Sequence, residues 1–277
     1  MAKTDVATAK DESKLPAYLQ DQSFDREDDG FGLEDVAVPQ IKLLQGISPE
    51  VEAFDHAKSG HFWHTGLDMS LGDTFRFCIA DRRKKYLLSA PLADGQGILA
   101  RADDAKTWDR TGSWQVKMKG RKEPVTWTID DLDVDKSGLS KWGTSVPDDS
   151  DSPPAATQFY DYLVWLPDHP ELGMSVLSLA RSKIKSAKKG LNDKIKMHLE
   201  NGRPMQALIF EGKSTDETGD EGPYKGVKFA LGGFQQDESV FNMLREHRGA
   251  LARLRIKDEA GEDDGYNAEE DDGKGNF

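Results

Sequence analysis

Residues 73–80 (DTFRFCIA) restrict this chain most, because Phe75, Phe77 and Ile79 alternate with Thr74, Arg76 and Cys78. A period of two buries all three apolar side chains only on one face of a β-strand. Further β-rich runs follow at 86–89, 97–101, 113–118 and 125–129. The last two flank a polar turn at 119–124 and predict a hairpin. Residues 158–166 (QFYDYLVWL) and 174–179 (MSVLSL) resume strand composition on either side of a Pro-rich turn. At 182–200 the period becomes helical, with Ile184, Ala187, Leu191, Ile195 and Leu199 three or four apart, and Asn201 and Gly202 then supply a stop. Strands at 206–211 and 224–231 enclose the polar segment 212–223. A last amphipathic helix runs over 237–256 with Val240, Phe241, Leu244, Leu251 and Leu254 on its apolar side.

Strands, a helix, two strands and a helix in this order predict a mainly β, α+β fold. The layout is that of a five-stranded oligonucleotide-binding (OB) barrel spanning 36–257, with an insertion over about 99–157. Within that insertion, 130–154 is rich in Asp, Ser, Gly and Pro and is expected to be loop rather than core. Residues 36–51, with Ile41, Leu43, Leu44 and Ile47 between Pro39 and Pro49, are expected to form a short cover. Phe75, Phe77, Phe210 and Phe229 are assigned to the core. No run of about 18 apolar residues that could span a bilayer occurs, and no apolar leader opens the chain. One cysteine, Cys78, leaves no intrachain disulfide and fits a reducing cytoplasm.

The formal charge of −13 argues as an average against binding a polyanion, but the average hides a segregation. Residues 1–35 and 258–277 are acidic, with too little apolar content to fold, and are expected to be disordered arms. The bases lie between them in three clusters: Arg82, Arg83, Lys84 and Lys85 running into Tyr86; Lys117, Lys119, Arg121 and Lys122 between Trp114 and Trp127; and Lys183, Lys185, Lys188 and Lys189 on the helix, preceded by Arg181. Charges that track phosphates, interleaved with flat rings on which bases stack, are what binding a single strand without reading its sequence requires. Against this, Trp and Tyr in strands are more often core than platform, and a lysine-rich helix face is usually only solvated. Tyr160 and Tyr162 are evenly balanced between the two roles.

No phosphate loop, nucleophile elbow, metalloprotease helix or dinucleotide fingerprint is present, so no catalytic residue is assigned and no cofactor is expected. His56, His61 and His64 could in principle hold zinc, but their spacing matches no metal motif, and none is expected. The carboxylates of 131–135 (DLDVD) leave a Mg²⁺-dependent nuclease as a third reading.

The ending EEDDGKGNF, the basic and aromatic strands, and the opening VPQIKLLQGISPEV together resemble a phage-encoded single-stranded DNA-binding protein with an OB-fold and an acidic C-terminal tail ending in Phe. The resemblance implies that Glu269, Glu270, Asp271, Asp272 and Phe277 contact replication or recombination proteins and compete with DNA for the groove. Here Lys274 and two glycines separate those acids from Phe277. The expected function is sequence-independent binding of single-stranded DNA in the host cytoplasm, without catalysis. A homo-oligomer is compatible with the sequence. The alternative is an acidic DNA mimic that occupies a host factor's nucleic-acid groove.

Overall fold

The computed structural model describes residues 38–91, 94–118, 121–219 and 222–254. The acidic arm at 1–35, the tail at 258–277 with its predicted contact residues, and Lys119 lie outside them.

The fold is mainly β, with a curled, half-barrel sheet and short helices, consistent with an OB-like α+β fold. The large sheet runs β11(Gly222–Phe234), β10(Leu208–Gly219), β4(Thr74–Ser89), β8(Ala156–Trp165), β9(Met174–Ala180), β1(Gln40–Leu43), β2(Phe62–His64), β3(Met69–Gly72), and β5(Ile98–Ala102) pairs with β4 off this path. It is wider than the five strands expected. β1 to β3 are only three or four residues each, too short to show a period, and a five-residue helix, α1(Pro49–Ala53), lies between β1 and β2. The polar segment 212–223 is largely strand, because β10 and β11 pair along their whole length as a ribbon whose solvated faces carry Ser, Thr, Asp and Lys. The curl brings the segment between β1 and β2 up to β11, the edge strand at the opposite end of the sheet. Gln45, just after β1, donates from Nε2 to the Lys225 carbonyl at 3.0 Å and accepts from the Lys225 N–H at 2.8 Å.

Phe75, Phe77, Ile79, Phe210, Tyr162, Leu177 and Leu179 form the main core, with Phe229 packed against it. A helical run seals it: α3(Lys183–Ala187), a π-turn over Lys188–Asn192, and α4(Asp193–Glu200). Ala187, Leu191 and Ile195 face inward as expected. Leu199 does not; it is exposed, and His198, one position nearer the axis of the apolar stripe, is buried instead. Gly190 lets the π-turn approach β11 closely, since a Cβ there would stand 2.7 Å from both the Phe229 Cβ and its carbonyl oxygen. Gly190→Ala is therefore expected to destabilise by about 1–3 kcal/mol through overpacking, read as a lowered urea midpoint with unchanged slope.

On the opposite face of the sheet, α5(Glu238–Glu246) and a 3₁₀ turn at Ala250–Ala252 cover Cys78, Ala80, Leu163 and Val176. The expected single helix over 237–256 is broken at Gly249, whose φ of 82° is left-handed. Burial raises the Cys78 thiol to about 11 and keeps it protonated.

Residues between β5 and β8 build a second core around Trp108, Trp127, Val116 and Ile129, carried by the hairpin β6(Gly112–Val116) and β7(Val125–Ile129). The segment 130–154 is not loop alone. It contains a short helix, α2(Val134–Ser137), and contributes Val134 and Leu139 to this core.

Candidate nucleic-acid interface

β4 passes through both cores, and one irregularity in it decides which of its bases meet solvent. Phe75, Phe77 and Ile79 point into the barrel core. Strict alternation would then send Asp81, Arg83 and Lys85 to the same side. A β-bulge between Ile79 and Asp81 interrupts the pairing with β8, after which Arg82 faces Tyr162, Lys84 faces Tyr160 and Tyr86 faces Gln158. An inserted residue switches the faces of everything beyond it. Arg82, Lys84 and Tyr86 thus continue the face that carries the barrel core, beyond the point where the helical run covers it. Arg83 and Lys85 turn to the other face.

The two sets have different fates. Lys85 and Asp161 are both fully buried, 3.0 Å apart. Arg83 Nε also meets Asp161 Oδ2 at 3.0 Å and donates through Nη1 to the Leu251 carbonyl at 2.8 Å. Ser178 Oγ donates to Asp161 Oδ1 at 2.6 Å. A carboxylate with three donors is the arrangement that allows charge inside a protein. The expectation that Lys85 and Arg83 hold DNA is therefore corrected: both are tied into the interior beside the 3₁₀ turn. Arg82 and Lys84 are exposed, with no carboxylate at salt-bridge distance among the described residues. The Lys84 ammonium sits 4.9 Å over the Tyr86 ring.

The third basic cluster joins the first through Asn192. Its Oδ1 accepts from Arg82 Nη1 at 3.2 Å and from the Tyr162 hydroxyl at 3.0 Å. Lys188, one turn earlier, shares that flank of the helical run, and Lys185 and Lys189 border it, all three exposed; Lys183 is half-buried. Arg181, with a left-handed φ of 53°, turns the chain from β9 into α3 and so sets the helix over this face. Of the balanced tyrosines, Tyr162 is buried, with its phenol held protonated by desolvation. Tyr160 is half-buried, its ring 6.5 Å from that of Tyr162. Arg82, Lys84, Tyr86, Gln158 and Tyr160 thus share one face of the β4–β8 pair, the floor expected of a groove with the lysine-bearing helical run at one end and the second core at the other.

The second basic cluster is not part of that floor. Lys117 and Lys122 are exposed on the separate hairpin, and Arg121 pairs with Asp148 at 3.3 Å. Trp127 is corrected outright as a stacking platform: it is 3% exposed, and its Nε1 donates to the Ser145 carbonyl at 3.1 Å. Trp114 is half-buried and, like Tyr86, borders the second core.

The carboxylates of 131–135 serve local turns. Asp131 Oδ1 accepts from the Asp133 N–H, and Asp133 caps α2 by accepting from the N–H groups of Asp135 and Lys136. The three histidines turn to different partners. His56 stacks on Trp63, His61 Nδ1 meets the Ser70 hydroxyl, and His64 Nε2 lies 3.1 Å from the Ser175 hydroxyl, with burial lowering its pKa. Among the described residues no cluster of His, Cys, Asp and Glu with metal-binding geometry occurs, and no helix is long and apolar enough to cross a membrane.

A family model described as Pam3 phage gp34-like protein matches residues 8–257, which include every described element from β1 to the last 3₁₀ turn. The chain belongs to this Pam3 phage gp34-like family. No curated protein matches it, and no solved structure does. The membership places the chain among phage proteins, and the match spans both the bulged strand and the helical run.

Proposed function

We propose that this gp34-like phage protein binds single-stranded DNA without reading its sequence, as a non-catalytic participant in replication or recombination in the host cytoplasm. The observation that carries the reading is the bulge in β4. It turns Arg82, Lys84 and Tyr86 onto one accessible face beside Tyr160 and sends their neighbours to an internal carboxylate. Cations without a carboxylate partner among the described residues, beside partly exposed rings, are the two components that non-specific strand binding needs. In this reading the acidic tail, through Glu269, Glu270, Asp271, Asp272 and Phe277, contacts partner proteins and competes for the groove. The net charge of −13 supports a second reading, an acidic mimic of nucleic acid that engages a host factor. A nuclease stands third, supported only by the acid-rich segment at 131–135.

Titration of labelled oligo(dT) at several salt concentrations separates these. Tight binding with log K falling linearly against log salt supports the groove. The R82Q/K84Q variant should lower that slope by about 1.4, at about 0.7 per phosphate lost from a single strand. Absence of binding by the wild-type chain at low salt favours the mimic, and cleavage of the strand on adding Mg²⁺ favours the nuclease.

A further inference from the structure

Arg82 and Arg83 are neighbours in sequence with opposite electrostatic surroundings. Arg83 is held by Asp161, so its charge is neutralised where it stands. Arg82 is held by Asn192, a neutral amide. An amide oxygen can accept a guanidinium N–H and fix its direction while leaving the positive charge uncompensated. A carboxylate in the same place would fix and neutralise it together. The π-turn matters here, because it carries Asn192 where one oxygen receives both Arg82 and the buried Tyr162 hydroxyl. Extra-residue turns of this kind recur at functional positions.

We infer that Asn192 is the positioning residue of a phosphate seat. It anchors one guanidinium nitrogen of Arg82 so that the remaining donors meet a phosphodiester oxygen at the helix end of the groove, with Lys188 on the same flank. The inference rests on the groove reading and adds one residue and one ligand group to it. Tyr162 braces Asn192 from below and has no direct part in holding the strand.

The test is the salt dependence of oligo(dT) binding in the wild-type full chain and in variants of it, each checked for folding by thermal melting. N192D places a carboxylate against Arg82 and should lower the magnitude of the slope by about 0.7, the loss of one phosphate, with affinity reduced at every salt concentration. N192A leaves Arg82 charged but unaimed; it should keep the wild-type slope and lose affinity several-fold. Adding N192D to R82Q should change the slope no further. A wild-type slope in N192D overturns the assignment while the groove reading stands. Failure of the wild-type chain to bind brings down both. Should N192D not fold, the R82Q and N192A pair decides by a double-mutant cycle. Coupling between the two substitutions supports the seat, and strict additivity refutes it.

Discussion

Asp161→Ala is expected to destabilise the fold by about 3–5 kcal/mol, the cost of removing one partner from a buried ion pair. For a domain of this size that is roughly 6–20 °C in melting temperature. The size of the effect follows from what remains. Lys85 has no accessible surface, and the Arg83 side chain is 12% exposed, so neither can recover water without opening the sheet or lifting the 3₁₀ turn that Arg83 holds through the Leu251 carbonyl. Ser178 also loses its acceptor. The loss should appear in both thermal and urea unfolding. The converse separates charge burial from simple shape. Replacing Arg83, Lys85 and Asp161 together by Met, Met and Leu removes the desolvation cost along with the attraction, and is expected to be neutral or stabilising. A change in D161A of less than 1 kcal/mol would show that water reaches this cluster.

Tyr86→Ala combined with Tyr160→Ala is expected to weaken oligo(dT) binding by about 2–6 kcal/mol, from 1–3 kcal/mol per stacked base. In dissociation constant this is roughly 30-fold to more than 10⁴-fold. The two residues lie one on each of the paired strands, offset by one pleat on the same face, since Tyr86 is opposite Gln158 and Tyr160 opposite Lys84. A chain of bases crossing β4 to β8 would meet both rings. The Tyr→Phe versions retain the flat surface and should bind within about threefold of wild type. Fluorescence anisotropy measures the affinity, and thermal melting shows whether the double Ala variant folds, since Tyr160 packs against the main core and Tyr86 against the second. Wild-type affinity in a folded double Ala variant would move the binding site off this groove.

The fold class was legible where apolar side chains keep a simple period, as in Phe75, Phe77 and Ile79 or in Val125, Trp127 and Ile129. That second run already signals that Trp127 points inward, because its flanking Thr126 and Thr128 mark the solvent face. The bases at 117–122 between Trp114 and Trp127 point the other way, toward solvent-facing rings. Asp161 was also visible as a lone acid within QFYDYLVWL, the pattern of a charge that needs internal partners. The bulge beyond Ile79 was not legible, since an extra residue in one strand is defined by the register of the strand beside it. Without it, Arg82 and Arg83 look equivalent. Asn192 gave no signal either, because its role depends on the guanidinium and the phenol that the sheet and the π-turn bring to it.

β4 is one unbroken strand of 16 residues shared by two separate cores. It works as a common beam: the lobes it supports cannot tilt against each other unless the beam flexes, and its pairing with β8 is interrupted at one point, the bulge. Cargo laid along the open span next to that point would lie across the joint like a splint, so that holding a strand and stiffening the molecule would become a single event.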